Sequence, residues 1–394
     1  MALTTPVSER VHISLFGRTN AGKSTLMNSL VGFDVAIVSP TAGTTTDPVQ
    51  KAMEINGLGA AVIVDTPGLD DFTELGGERM ARTAKVLDKT DIAVVLFTDE
   101  GGDAEYRIVE ECRVREIPAI LVLNQVDRVA NSGDIVAKIS ERTKLNVLSV
   151  SALTGEGIEE LRSAIVACHA TEERLITQGF CKAGDRVLLV MPQDKAAPKG
   201  RLIQPQVQTI RELLDRGCIP ICCTPDRMAE ALAALGSVPE LIITDSQAFN
   251  EVYALKPEGS TLTSFSILFA RYKGDIKLFT EGVKALKNIT ESSRILIAEA
   301  CTHTPQNEDI GRVKLPRLLR KRFGEGLAID IVGGAEYPED LTKYDLVIHC
   351  GACMFNRRHV LSRIERARQQ GVAITNYGVI LAALTGILDR VRTN

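Results

Sequence analysis

Residues 11–24 read Val11-His12-Ile13-Ser14-Leu15-Phe16-Gly17-Arg18-Thr19-Asn20-Ala21-Gly22-Lys23-Ser24, with Thr25 next. A short apolar run predicts a β-strand. The eight residues that follow it fit G-x-x-x-x-G-K-[ST], the loop that joins a strand to a helix and cradles phosphate. Gly17 and Gly22 let the backbone approach an anion closely, and the N–H groups from Arg18 to Thr25 face it at a helix N-terminus. Lys23 is placed to contact β- and γ-phosphates and Ser24 to bind Mg²⁺.

Moving outward, Asp65-Thr66-Pro67-Gly68 ends another apolar run. Asp65 would hold Mg²⁺, and the Gly68 N–H would sense γ-phosphate. Asn124-Gln125-Val126-Asp127 ends a third run and Ser151-Ala152 a fourth. The first of these resembles the N-K-x-D motif of GTPases, with Gln125 in place of lysine. The Asp127 carboxylate can accept from guanine N1–H and its 2-amino group, a pattern adenine does not offer. Thr41-Ala42-Gly43-Thr44-Thr45-Thr46-Asp47 resembles the switch I segment of the class that includes tRNA-modification and ribosome-assembly GTPases. That alignment makes Thr45 the Mg²⁺-sensing threonine. Leu69 stands where a glutamine would orient the attacking water, so slow hydrolysis is expected. Asn20 stands where potassium-activated members of this class carry the asparagine that helps hold K⁺ against the phosphates. The catalytic set is then Lys23, Thr45, Gly68 and Asn20, with GTP/GDP, Mg²⁺ and K⁺ bound.

The chain has 394 residues, which predicts two or three domains. Short β-branched runs alternate with amphipathic stretches throughout, which predicts an α/β protein with parallel sheets. Three blocks are expected: a P-loop GTPase domain over 1–172, a linker and small α/β dimerisation domain over 173–260, and a metal-binding α/β domain over 261–394. Segment 171–184 reads as linker. Three strands are expected in the middle block, whose open edges invite pairing with another chain. A net charge of −4 argues against nucleic acid as a partner. The N-terminus has no signal-peptide pattern and no apolar run reaches membrane-spanning length, so a cytoplasmic protein without a membrane partner is expected. Nine cysteines in such a chain suggest thiols or metal ligands. Cys218, Cys222 and Cys223 read as buried hydrophobes.

Cys301-Thr302-His303 and His349-Cys350-Gly351-Ala352-Cys353 each follow an apolar strand, and together they hold three of the nine cysteines and two of the five histidines. In a parallel sheet such loops meet at one edge. A Cys₃His set suits zinc; three thiolates with an exchangeable fourth ligand suit a [4Fe–4S] cluster; a disulfide switch is a third reading. An RNA- or ribosome-associated GTPase with a structural zinc domain is the alternative function.

A GTPase domain of this class, a small middle α/β block and a C-x-H…H-C-x-x-C domain together resemble the [FeFe]-hydrogenase maturation GTPases over essentially the whole chain. The resemblance implies a [4Fe–4S] cluster on Cys301, Cys350 and Cys353 and a homodimer built through the middle block. It also implies a scaffold that receives the di-iron precursor from radical-SAM maturases and delivers it to apo-hydrogenase. For the fourth iron the candidates rank His303, then Glu308, then His349. His349 is expected to point away from the cluster because neighbouring side chains on an extended strand alternate. The run Lys314–Arg322 carries five basic residues in nine positions, a candidate docking face.

Overall fold

The computed structural model describes residues 5–32, 49–69, 76–169, 174–192, 202–300, 309–334, 336–352 and 354–393. The chain divides into two compact units, Met1–Glu172 and Glu173–Asn394.

In the first unit the elements run β1 (Val11–Phe16), α1 (Lys23–Val31), β2 (Val49–Ile55), β3 (Gly59–Asp65), α2 (Gly76–Leu87), β4 (Ile92–Phe97), α3 (Asp103–Val114), β5 (Ala119–Leu123), α4 (Ser132–Thr143), β6 (Val147–Ser149) and α5 (Ile158–His169). They build a sheet of order β2-β3-β1-β4-β5-β6. Only β2 runs antiparallel; it pairs with β3 across a tight turn. Strands β1 and β4 are buried along their whole length, as helices on both faces of a parallel sheet require. That burial explains why they read as unbroken apolar runs.

The second unit continues with β7 (Arg186–Val190), α6 (Gln204–Asp215), β8 (Ile219–Cys223), α7 (Met228–Leu235), β9 (Leu241–Thr244), α8 (Phe249–Leu255), β10 (Thr261–Ser264), α9 (Phe265–Lys273) and α10 (Ile276–Gly282). It ends with β11 (Arg294–Ala298), α11 (Leu315–Phe323), β12 (Ala328–Val332), β13 (Leu346–His349), α12 (Arg357–Gln369), β14 (Ile374–Asn376) and α13 (Tyr377–Leu384). Two parallel sheets result, β10-β9-β7-β8 and β12-β11-β13-β14.

Three expectations need correction. The middle sheet has four strands, not three, because the chain passes the turn at 256–260 and returns as β10 beside β9. Segment 174–184 is not a free linker. Ile176, Phe180 and Cys181 enter the core of the middle sheet, and the Glu212 carboxylate accepts the N–H groups of Ile176 and Thr177 at 2.6 and 2.7 Å. Cys222 is exposed on β8, an edge strand, whereas Cys218 is buried and Cys223 half-buried.

Helix α9 ties this unit together. Ser264 caps it by accepting the Ile267 N–H at 3.2 Å. Phe265, Leu268 and Phe269 pack into the core behind the middle sheet, while Ile267 and Ala270 join the core that also holds Ile297 and Val347 of the last sheet. A helix buried on both sides has no polar stripe. Truncating Leu268 to alanine would cost ~2–5 kcal/mol.

Candidate functional site

Four parallel strands of the first unit deliver the candidate nucleotide-binding residues to one sheet edge. The loop 17–22 leaves β1, Asp65 ends β3 opposite Leu15, Asn124 follows β5, and Ser151 follows β6. Gly22 has φ +86°, and a Cβ there would meet Asn124 Nδ2 at 2.4 Å, so only glycine fits. Asn124 Nδ2 donates to Ala21 O at 2.8 Å, and Asn124 Oδ1 accepts the Ala152 N–H at 3.1 Å. One side chain thus binds the phosphate loop to the 151–152 loop. Gln125 donates to Asn20 O at 2.8 Å, a second strut between the same segments. Asn20 and Gln125 both have left-handed φ, 62° and 61°, a conformation asparagine tolerates better than most. Lys23 is buried, and its ammonium donates to the carbonyls of Gly17 and Arg18 at 2.9 and 2.8 Å.

Asp127 accepts from the Ser151 hydroxyl at 2.6 Å. A small open cleft is lined by Gly22, Thr25, Asn124, Gln125, Asp127, Arg128, Ala152 and Leu153. Arg128 and Leu153 carry no motif and were not legible in the sequence. Ser24 Oγ donates to Asp65 Oδ2, while Asp65 Oδ1 is buried without a hydrogen-bond partner. Leaving such an oxygen unmet costs ~1–3 kcal/mol. A hard divalent cation between Ser24 and Asp65 would satisfy it, so these residues fit Mg²⁺. Gly68 lies close to Thr19: a Cβ would meet Thr19 Oγ1 at 2.2 Å and Thr19 N at 2.9 Å. The Leu69 N–H donates to Gly17 O at 3.1 Å, so the D-T-P-G turn is fastened to the phosphate loop. Arg18 turns its side chain to Asp99 and to the buried Glu105 at 2.6 Å. Thr45 lies outside the described residues.

In the second unit, β11 and β13 are parallel neighbours, with Ala298 opposite His349. The segments after them carry the two cysteine motifs. Cys301, His303, Glu308 and Cys353 lie outside the described residues; Cys350 and His349 lie within them. Among the described residues no group of three or more His, Cys, Asp or Glu could hold a metal ion. Cys350 is buried, and its Sγ accepts the N–H groups of Ala300 at 3.0 Å and Ala352 at 3.4 Å. Two backbone N–H groups thus point at this sulfur.

His349 is fully buried and turns to α12. Its Nδ1 lies 2.8 Å from Cys350 O and its Nε2 3.2 Å from Arg363 Nη1. A guanidinium only donates. Nε2 is therefore the acceptor and Nδ1 carries the proton. Burial, and then the Arg363 charge, push the imidazole pKa down to about 3, so the ring is neutral. With both nitrogens engaged, this ring offers no lone pair to iron as it stands. Glu299, buried one residue before Ala300, accepts from Arg312 Nε at 2.9 Å and from Tyr377 at 3.4 Å. Helix α11 exposes Arg317, Lys321 and Arg322 and buries Leu315 and Leu319; Arg320 is half-buried and its Nε has no partner.

Residues 12–125 match the family model of the 50S ribosome-binding GTPase, 176–274 that of the hydrogen maturase F dimerization domain, and 277–393 that of the hydrogen maturase F tetramerization domain. The tRNA modification GTPase MnmE of Nitrosomonas europaea is 31% identical over 191 residues, covering 48% of this chain and 41% of that protein. GTPase Der of Campylobacter concisus is 35% identical over 169 residues, covering 40% and 36%. The chain thus spans about two-fifths of the length of these relatives. The G domain of the T. maritima FeoB iron transporter aligns at 22% identity over 41% of this chain and 99% of its own, with a TM-score of 0.31. No helix among the described residues is long and apolar enough to cross a membrane. The two maturase segments follow one another directly behind a P-loop GTPase domain and together take in more than half of the chain, which therefore belongs to the hydrogen maturase F family.

Proposed function

We propose that the chain binds and hydrolyses GTP and serves as the scaffold on which the di-iron subcluster of [FeFe]-hydrogenase is assembled and from which it passes to apo-hydrogenase. The observation that carries this reading is the unbroken run of maturase segments over 176–393 behind a guanine-type nucleotide site. The hydrolytic residues are Lys23, Thr45, Gly68 and Asn20. The base is selected by Asp127, held by Ser151 and flanked by Asn124, Gln125 and Ala152. Ser24, Thr45 and Asp65 hold Mg²⁺. With Leu at position 69, no side chain there orients the attacking water. Turnover is therefore slow, and K⁺ beside Asn20 supplies charge to the phosphates.

A [4Fe–4S] cluster, when bound, would supply an iron with an exchangeable coordination position. Cys301, Cys350 and Cys353 are the ligands, with His303 ahead of Glu308 at the fourth position. Cys350 holds its sulfur toward the Ala300 and Ala352 N–H groups. His349, engaged on both nitrogens, acts only by supporting the Cys350 backbone. The chain self-associates through 176–274, and β8 offers an open sheet edge there. The partners are radical-SAM maturases and apo-hydrogenase, in the cytoplasm.

The test is anaerobic purification followed by transfer. Protein matured with the radical-SAM partners should be brown, give an EPR signal on reduction, and activate apo-[FeFe]-hydrogenase. A colourless zinc protein that activates nothing would sink the scaffold reading and leave a GTPase with a structural metal domain.

A further inference from the structure

Residues 350–356 connect β13 to α12 and begin with Cys350. Two cations tie described residues at this loop and at the start of α12 to the end of α9. Lys273, the last residue of α9, is 3% exposed, and its Nζ donates to Ala352 O at 3.3 Å and Phe355 O at 2.9 Å. Arg357, the first residue of α12, donates back through Nη1 to Tyr272 O at 2.9 Å and Gly274 O at 3.0 Å. Those two carbonyls sit at the C-terminal end of α9, where unsatisfied carbonyls and the helix dipole favour a cation. The α9 terminus and the cysteine loop therefore exchange four charge-assisted hydrogen bonds.

The loop needs such a restraint. Ala352 has φ 52°, a left-handed conformation that costs a non-glycine residue ~1–2 kcal/mol. The same Ala352 donates its N–H to Cys350 Sγ. Lys273 binds the Ala352 carbonyl on one side of this residue's Cα while its N–H meets the sulfur on the other, so the two contacts together hold the left-handed backbone at Ala352. Removing the ammonium frees the carbonyl and lets the strained residue relax.

The charge is also deliberate in its placement. A buried ammonium is costly unless paired, and Arg174 and Arg358 add like charge near Arg357. Burial first, and then these two arginines, push the Arg357 pKa down to about 10. Asp275 offsets part of this crowding, and a centre ligated by several thiolates would add further negative charge.

We propose that Lys273 and Arg357 are positioning residues of the cysteine loop: their reciprocal clasp fixes Cys350 and presents positive charge to an anionic, thiolate-ligated centre. This rests on reading Cys350 as a cluster ligand. The clasp also joins the segment that matches the dimerization model, through α9, to the segment that carries the cysteines.

The test uses the full-length chain as Lys273→Met and Arg357→Met, each beside its charge-keeping partner, Lys273→Arg and Arg357→Lys. The first arm follows alkylation of Cys350 by N-ethylmaleimide in metal-free protein, read by peptide mass spectrometry. The methionine variants should react at least about tenfold faster than wild type, because local opening exposes a buried thiol, while at least one charge-keeping variant stays close to wild type. The second arm measures the midpoint potential of the reconstituted cluster by EPR-monitored titration. Loss of a nearby positive charge should make it more negative. If iron binds and neither rate nor potential moves in either methionine variant, the clasp is overturned and the cluster reading stands. If wild type takes up no iron yet the alkylation rates behave as expected, the cluster reading falls and the clasp stands.

Discussion

Ser151 offers the sharpest test of the guanine site. It is fully buried, and its hydroxyl donates to Asp127 Oδ1 at 2.6 Å. It also accepts the Thr154 N–H at 3.2 Å. On the proposed guanine reading, Asp127 presents its carboxylate edge to two donors of the base, and the hydroxyl would fix its orientation. A hydrogen bond to a charged group contributes ~1.5–3 kcal/mol. Asp127 is 22% exposed in its side chain, so water can replace part of the lost bond. Discounted for that, Ser151→Ala should cost ~1–2 kcal/mol, or roughly 5–30-fold in affinity for GDP and GTP. Preference for guanine should remain. Asp127→Asn acts differently: it reverses one side of the hydrogen-bond pattern and should move preference toward xanthine nucleotide. Titration of a fluorescent GDP analogue, with GTP, XTP and ATP as competitors, measures both variants. Unchanged GDP affinity in Ser151→Ala would refute the reasoning, as would equal competition by ATP in the parent chain.

Asn20→Gly keeps the left-handed φ at this position while removing the side-chain oxygen, so it tests the K⁺ role without straining the loop. GTP turnover should be higher in K⁺ than in Na⁺ at equal ionic strength, and the ratio should fall to about one in the variant; a retained ratio counts against K⁺. Ile219 is 54% exposed on edge strand β8, so Ile219→Lys should shift the particle mass in solution toward the monomer by light scattering. An unchanged mass would show that this edge is not the interface. Arg317→Glu with Lys321→Glu should weaken association with an acidic client and flatten its salt dependence, because both residues are exposed on α11; equal binding leaves them a solvated face. Glu240 accepts from the guanidinium and the backbone N–H of Arg186, which holds its pKa at about 2, below the unfolded 4.5. The stabilisation is therefore complete above pH 4.5 and is lost as pH falls through 2. The difference in melting temperature between wild type and Glu240→Gln should close over that window, and a constant difference would contradict the assignment.

The nucleotide site was legible because each motif is contiguous and sits at the end of a strand that reads as an apolar run. What holds the motifs together was not legible. Arg18 meets Glu105 across 87 positions, and Lys273 meets Ala352 across 79. No local spacing announces such pairs. Helix α9 is apolar on two sides and so shows no amphipathic stripe, and β10, Thr261-Leu262-Thr263-Ser264, is short and largely polar although Thr263 and Ser264 are fully buried. Thr263 meets its burial by donating to Arg392 O at 2.8 Å, and Ser264 by capping α9. The position of Cys222 failed for a related reason. An apolar composition does not say which strand is the edge, and β8 turns Cys222 outward.

The phosphate loop and the cysteine loop solve one problem in the same way. Each follows a parallel strand, and each has a lysine ammonium on two of its carbonyls: Lys23 on Gly17 and Arg18, Lys273 on Ala352 and Phe355. Each also holds a non-glycine residue at left-handed φ, Asn20 in one and Ala352 in the other. Successive N–H groups in such turns form a concavity for an anion, and a cation on the carbonyl side keeps those groups facing the other way. In the first loop the anion is phosphate. In the second, the Ala352 N–H already points at the Cys350 sulfur. Lys23 comes from the helix that the loop itself begins, so the phosphate loop is self-contained. Lys273 comes from a helix 79 positions away from Ala352, and that helix is buried against the middle sheet. On the proposed clasp, α9 is one anchor of the cysteine loop beside the Asn376 side chain, which donates to Cys350 O at 3.4 Å, so a displacement of α9 should be felt at Ala352 and, through its N–H, at the Cys350 sulfur.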